Sequence, residues 1–100
     1  MDSTNTIKQG LTLQIAKDII NMIKPKYFDS HVFILKLKND YPNYYDSILA
    51  SHKGKINTAD GEIAKFLSDN SAQLGIVQIN GKILSINILG KPSENALWKH

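Results

Sequence analysis

From Leu11 onward the apolar positions recur every three or four residues. Leu11, Ile15, Ile19, Met22 and Ile23 share one face, with Lys17, Asp18, Asn21 and Lys24 opposite. That spacing predicts an amphipathic helix over 11–24, closed by Pro25. Residues 1–10 show no such period and read as a polar, flexible leader. In the next segment two periods compete. Asp29 suits an N-cap, and Phe28 is placed to staple onto Phe33, which predicts a helix over 30–40. Within 31–38, however, Leu35 and Leu37 alternate with Lys36 and Lys38, so a strand stays open there.

Tyr41-Pro42 marks the next boundary, and Tyr45, Ile48, Leu49 and His52 form the stripe of a helix over 42–53, with Gly54 as its left-handed stop. Thr58 is the next N-cap candidate, opening a helix over 58–69 through Ile63, Phe66 and Leu67. Asp60 and Glu62 suit the positive end of its dipole. The period then changes to two. Gly75–Ile79 and Lys82–Ile88 flank Asn80-Gly81, a pair that predicts a tight hairpin turn because both turn residues need positive φ. Ala96, Leu97 and Trp98 follow the break at Gly90-Lys91-Pro92, and Trp98 is expected to fold back as a lid on the core.

At 100 residues and 42% hydrophobic, the chain suits one domain with one modest core. Cysteine is absent, which excludes disulfide scaffolds and thiolate metal sites. No apolar run reaches the roughly 20 residues a membrane span needs, and the amino-terminal residues lack the basic-then-apolar order of a signal peptide. A cytoplasmic protein with no membrane association is expected. The net charge is +3, and all twelve basic residues are lysine. Abundant Lys, Asn and Ile are also what AT-rich coding produces, so base composition accounts for part of that bias. The balance permits a polyanion partner, although without arginine the strongest bidentate reader of guanine is missing.

Catalysis finds little support. The histidines stand far apart at 31, 52 and 100, and none lies in a recognisable motif. Gly54 and Gly61 match no phosphate-cradling loop, and Asp60-Gly61-Glu62 with Lys65 reads as a helix start rather than a metal nuclease. No enzyme activity, cofactor or metal is expected. Tyr44 and Tyr45 are either core residues or a base-stacking platform, and His100 is expected to be mobile.

The order of elements is the informative feature. Three helices at 30–40, 42–53 and 58–69, a short glycine-containing turn at 53–57 and a hairpin at 75–88 resemble the winged helix-turn-helix superfamily. The resemblance covers residues 29–98 and implies a mainly α fold with a C-terminal β-hairpin (α+β), the 11–24 helix being an addition. It places residues 42–69 as the helix-turn-helix, helix 58–69 towards the major groove and Asn80-Gly81 at the wing tip. A small DNA-binding protein or module, such as a transcription regulator, is then expected to hold double-stranded DNA. Lys53, Lys55, Lys82 and Lys91 would contact phosphates, and Asn57, Thr58, Lys65 and Ser68 would line the groove-facing helix. Asp60 or Glu62 would accept from a cytosine amino group. Over 58–70 one lysine faces three carboxylates, a net charge of −2, which opposes phosphate binding. The alternative is a protein-interaction module on the same fold, accessory or inhibitory and possibly of phage or mobile-element origin. It would act through helix 58–69 or dimerise through helix 11–24.

Overall fold

A computed structural model describes residues 12–100, apart from the side chain of Asn80. The expected leader, 1–10, lies outside the described residues. The elements run α1 (Leu13–Met22), β1 (Tyr27–Asp29), α2 (Ser30–Asp40), α3 (Pro42–Ser51), α4 (Ile56–Asp69), α5 (Ser71–Leu74), β2 (Val77–Ile86) and β3 (Pro92–Lys99). The α+β class with a C-terminal hairpin matches the expectation, whereas strand β1, between α1 and α2, and the short helix α5 were not expected. The strands form one antiparallel sheet in the order β1-β3-β2, so the strand latest in sequence is central.

Local chemistry explains most boundaries. The Thr12 hydroxyl accepts from the Ile15 amide at 3.2 Å and opens α1. Asp29 ends β1 and caps α2 in the same position, accepting from the Val32 amide at 2.9 Å. Segment 31–38 is therefore helical. Its buried residues, Ser30, Phe33, Ile34 and Leu37, follow the helical period, and the apparent alternation of Leu35 and Leu37 puts Leu35 into solvent. Pro42 occupies the first turn of α3.

Several helix ends move: α1 runs Leu13–Met22 rather than 11–24, with Thr12 and Ile23 as its caps. Helix α4 begins at Ile56 rather than Thr58, with Lys55 as an N-cap that makes no side-chain bond. Helix α3 stops at Ser51, and the left-handed stop falls on Lys53 (φ +57°) before Gly54 (φ +76°). The Lys53 amide donates to the Ala50 carbonyl at 3.0 Å and the Gly54 amide to Leu49 at 2.9 Å, the paired bonds of a Schellman ending.

The hairpin is the main correction. Asn80-Gly81 is not a turn: β2 runs through it, and the register jumps from Ile79↔Leu97 to Lys82↔Ala96, leaving two extra residues as a bulge. Gly81 still supplies the positive φ (+82°) that the pair signals, and spends it on the bulge. The chain reverses instead at 87–91. There the Asn87 carboxamide oxygen accepts from the Leu89 and Lys91 amides at 2.9 and 3.1 Å, and Gly90 takes φ +78°. Pairing across Asn80-Gly81 would have left 92–99 without a partner strand. With the turn at 87–91, β3 pairs on both sides and carries Trp98 into the core.

That core is built from Ala16, Ile19, Ile20 and Ile23 of the α1 segment, Phe33, Ile34 and Leu37 of α2, Tyr45 and Ile48 of α3, and Ala59, Ile63 and Leu67 of α4, closed by Trp98. Trp98 is 1% exposed, and its indole N–H donates to the Ser30 hydroxyl at 3.0 Å, which confirms it as a lid. The apolar stripe of α1 is consumed by this core; only Leu13 and Met22, each 37% exposed, remain large apolar side chains at its surface. His100 is not loose: its amide donates to the Lys26 carbonyl at 3.0 Å and its ring packs on Phe28 with centroids 5.2 Å apart. Among the described residues no helix is long and apolar enough to cross a membrane.

Candidate nucleic-acid interface

All eight residues expected to contact DNA, Lys53, Lys55, Asn57, Thr58, Lys65, Ser68, Lys82 and Lys91, are exposed. The fold gathers only some of them. Asn57, in the first turn of α4, lines an open cleft of about 180 Å³ whose far wall includes Asn87, Ser93 and Asn95. Asn87 is tied to Lys91, accepting from its amide and donating its own amide to the Lys91 carbonyl at 2.8 Å. The start of α4, which follows the turn carrying Lys53 and Lys55, therefore faces across the cleft the hairpin turn that carries Lys91.

The other three candidates lie elsewhere. Lys65 and Ser68 sit about 12 and 16 Å further along α4 at 1.5 Å per residue. The Lys65 ammonium is paired with Asp69 at 2.6 Å, and that hydrogen bond raises its pKa. Lys82 borders the bulge, about 16 Å along β2 from the reversal. It is not at a wing tip.

Behind the cleft is a hydrogen-bond network that the strand pattern conceals. The His31 ring bridges the hairpin: Nδ1 lies 2.6 Å from the Ser85 hydroxyl and Nε2 lies 3.1 Å from the Ser93 hydroxyl. Each hydroxyl can donate or accept, so either neutral tautomer is satisfied. Asn95, on β3, accepts from the His31 amide at 2.8 Å and donates to the Ile83 carbonyl and the Ser85 hydroxyl at 3.1 and 3.2 Å. The hairpin is thus fastened to the first turn of α2 by polar contacts. Its polar residues Ser85, Ser93 and Asn95 face the helices, while Leu84 and Ile86 point outward at 65% and 60% exposure. Neither the network nor its inversion follows from periodicity, because alternation gives two faces and does not say which one meets the core. The available signal is the recurrence of short polar side chains at 85, 87, 93 and 95, one face of each strand.

Asp60 brings charge to the cleft. Tyr45, 1% exposed, donates its hydroxyl to Asp60 Oδ1 at 3.0 Å, which makes Tyr45 a core residue and rules out its use as a stacking platform. Burial, and then the Asp60 charge, raise the Tyr45 pKa well beyond that of an ordinary phenol. Burial also raises the Asp60 pKa, opposed by the Tyr45 hydrogen bond and by the nearby His31 and Lys38. Tyr44, half-buried, meets Tyr41 edge to face at 6.4 Å. No protein-family model matches this chain, and neither a curated protein nor a solved structure shows significant similarity to it.

Proposed function

We propose that this chain is a winged-helix-type module that grips duplex DNA at the end where the α3–α4 turn, the start of α4 and the hairpin turn meet. The observation that carries this reading is the placement of the turns: Lys53 and Lys55 lie in the turn that leads into α4, and Asn57 of its first turn lies across the cleft from Asn87, whose carboxamide holds the Lys91 amide. The missing side-chain cap on α4 supports it as well, since the first amides of that helix stay free for a phosphate oxygen. Lys53, Lys55 and Lys91 hold backbone, and Asn57 and Thr58 face base edges. Lys65, Ser68 and Lys82 have no part in this grip.

The test is fluorescence anisotropy on a random duplex from about 50 to 200 mM salt. Three phosphate contacts give a slope near −2.7 in log K against log salt, a loss of about 40-fold over that range. Charge reversal at Lys53, Lys55 or Lys91 is expected to flatten the slope by about one each, and Lys65→Glu to leave it unchanged. Absence of binding at the lowest salt refutes the reading.

One observation favours the alternative of a protein-interaction module: the outward Leu84 and Ile86 give the hairpin an apolar outer face. In that case Leu84→Ser abolishes partner capture and leaves DNA affinity, where present, untouched.

A further inference from the structure

The polar wall of the cleft divides into a closed part and an open part. His31, Ser93 and Asn95 use their side chains on one another and on Ser85, and Asn87 uses its carboxamide on Ser93 and on the reversal. Glu94 also borders the cleft, on the outward face of β3 that it shares with Leu84 of the neighbouring strand. Asp60 and Asn57 remain. Among the described residues Asp60 has no ion-pair partner: its one hydrogen bond comes from the Tyr45 hydroxyl, and no lysine lines the cleft in a chain that carries twelve. A half-buried carboxylate without a cation is poorly solvated and gains from one that enters beside it. Tyr45, His31 and Lys38 are the other ionisable groups acting on it.

Gly61 is the independent observation. It lies in the interior of α4 on the cleft wall, where glycine weakens a helix. A Cβ added there meets nothing within 4 Å. Packing does not require this glycine, which stands on the cleft wall with no side chain. The space of about 180 Å³ equals roughly six waters. A nucleobase would find only the His31 ring to stack on, already held by two hydroxyls.

We propose that this cleft binds a single organic cation, an ammonium or guanidinium group, with Asp60 as counter-charge, Asn57 as second acceptor, and Ile34, Gly61 and Ala64 against its aliphatic stem. The chain has no arginine of its own, so a guanidinium comes from a partner's side chain or a small free amine. The proposal does not depend on DNA binding. It is tested by titrating the ¹⁵N-labelled chain with N-acetyl-arginine amide, with agmatine as the free amine, and with N-acetyl-citrulline amide and guanosine as uncharged controls. Saturable shifts confined to the amides of 57–64 and 93–95 are expected, with a Kd on the order of 1 mM. Asp60→Asn weakens binding by about 10-fold or more. Gly61→Leu, which keeps Asp60 and fills the cleft, abolishes it while the rest of the spectrum is retained. Arginine amide binding without agmatine binding identifies a partner's side chain as the source, and binding of both admits small amines. Equal shifts with the citrulline analogue, guanosine binding alone, no saturable shift, or full affinity in Gly61→Leu each overturns the proposal.

Discussion

Lys53 bears a conformational strain that a single substitution removes. It occupies the left-handed position of the α3 ending at φ +57°, where a Cβ crowds the following carbonyl. That crowding costs a non-glycine residue about 1–2 kcal/mol, while glycine costs about 0.5–1 kcal/mol in extra unfolded-state freedom. Lys53→Gly is therefore expected to stabilise the chain by about 0.5–1 kcal/mol, a rise in Tm of roughly 2–8 °C for a domain of this size. Lys53→Ala removes the charge but keeps the Cβ, so it separates strain from electrostatics. The assay is urea unfolding followed by circular dichroism for wild type, Lys53→Ala and Lys53→Gly. The alanine variant stays within about 0.5 kcal/mol of wild type, the usual range for an exposed site, and the glycine variant exceeds both. A glycine variant no more stable than the alanine variant refutes the reasoning. In DNA binding the two variants are expected to lose the same affinity, because both lack the ammonium.

Two further outcomes follow from the core. Trp98→Phe strands the Ser30 hydroxyl, 1% exposed, without its indole donor, and is expected to cost about 1–3 kcal/mol in urea; the wild-type emission of this single, buried Trp is expected to be blue-shifted and resistant to iodide quenching. Asp60 has a raised folded-state pKa, so just above its ordinary value of 3.8 the folded chain holds a proton that the unfolded chain has released. Stability from this site therefore rises as the pH falls through the folded pKa towards 3.8, opposite to a salt-bridged carboxylate. Tyr45→Phe deletes the hydrogen bond that favours the carboxylate and moves the Asp60 pKa further up, as a carboxyl ¹³C titration would record; an unchanged titration contradicts the assigned contact.

The helices were largely legible in the sequence because their signals are local: a cap at Asp29, a breaker at Pro25 and a proline start at Pro42 each act within a turn. The sheet was not, because its evidence is spread over the chain. Tyr27–Asp29 is three residues long and recognisable only against 97–99, and Asn80-Gly81 satisfies a hairpin and a bulge equally well until the partner strand is known. Of the candidate site, exposure of the lysines followed from their chemistry, whereas their grouping depended on where the chain reverses. Moving that reversal from 80–81 to 87–91 brought Lys91 to the turn and left Lys82 behind. The cleft needed α4 and β3 both packed on α2 and facing one another, and nothing in the local pattern places them so.

The central position of β3 also governs the order in which the molecule can assemble. Tyr27 pairs with Lys99 and Val77 pairs with that same residue, so neither outer strand has a partner until the chain has been made through 92–99. During synthesis α1 to α4 emerge first and can associate through local contacts, but β1 waits some seventy residues for its neighbour and the indole that seals the core arrives late. Closing so long a loop is slow relative to helix packing. Until then Phe28 lacks the strand that pairs with it and α2 lacks its contact with β3, so a chain cut before Ala96 would lose both.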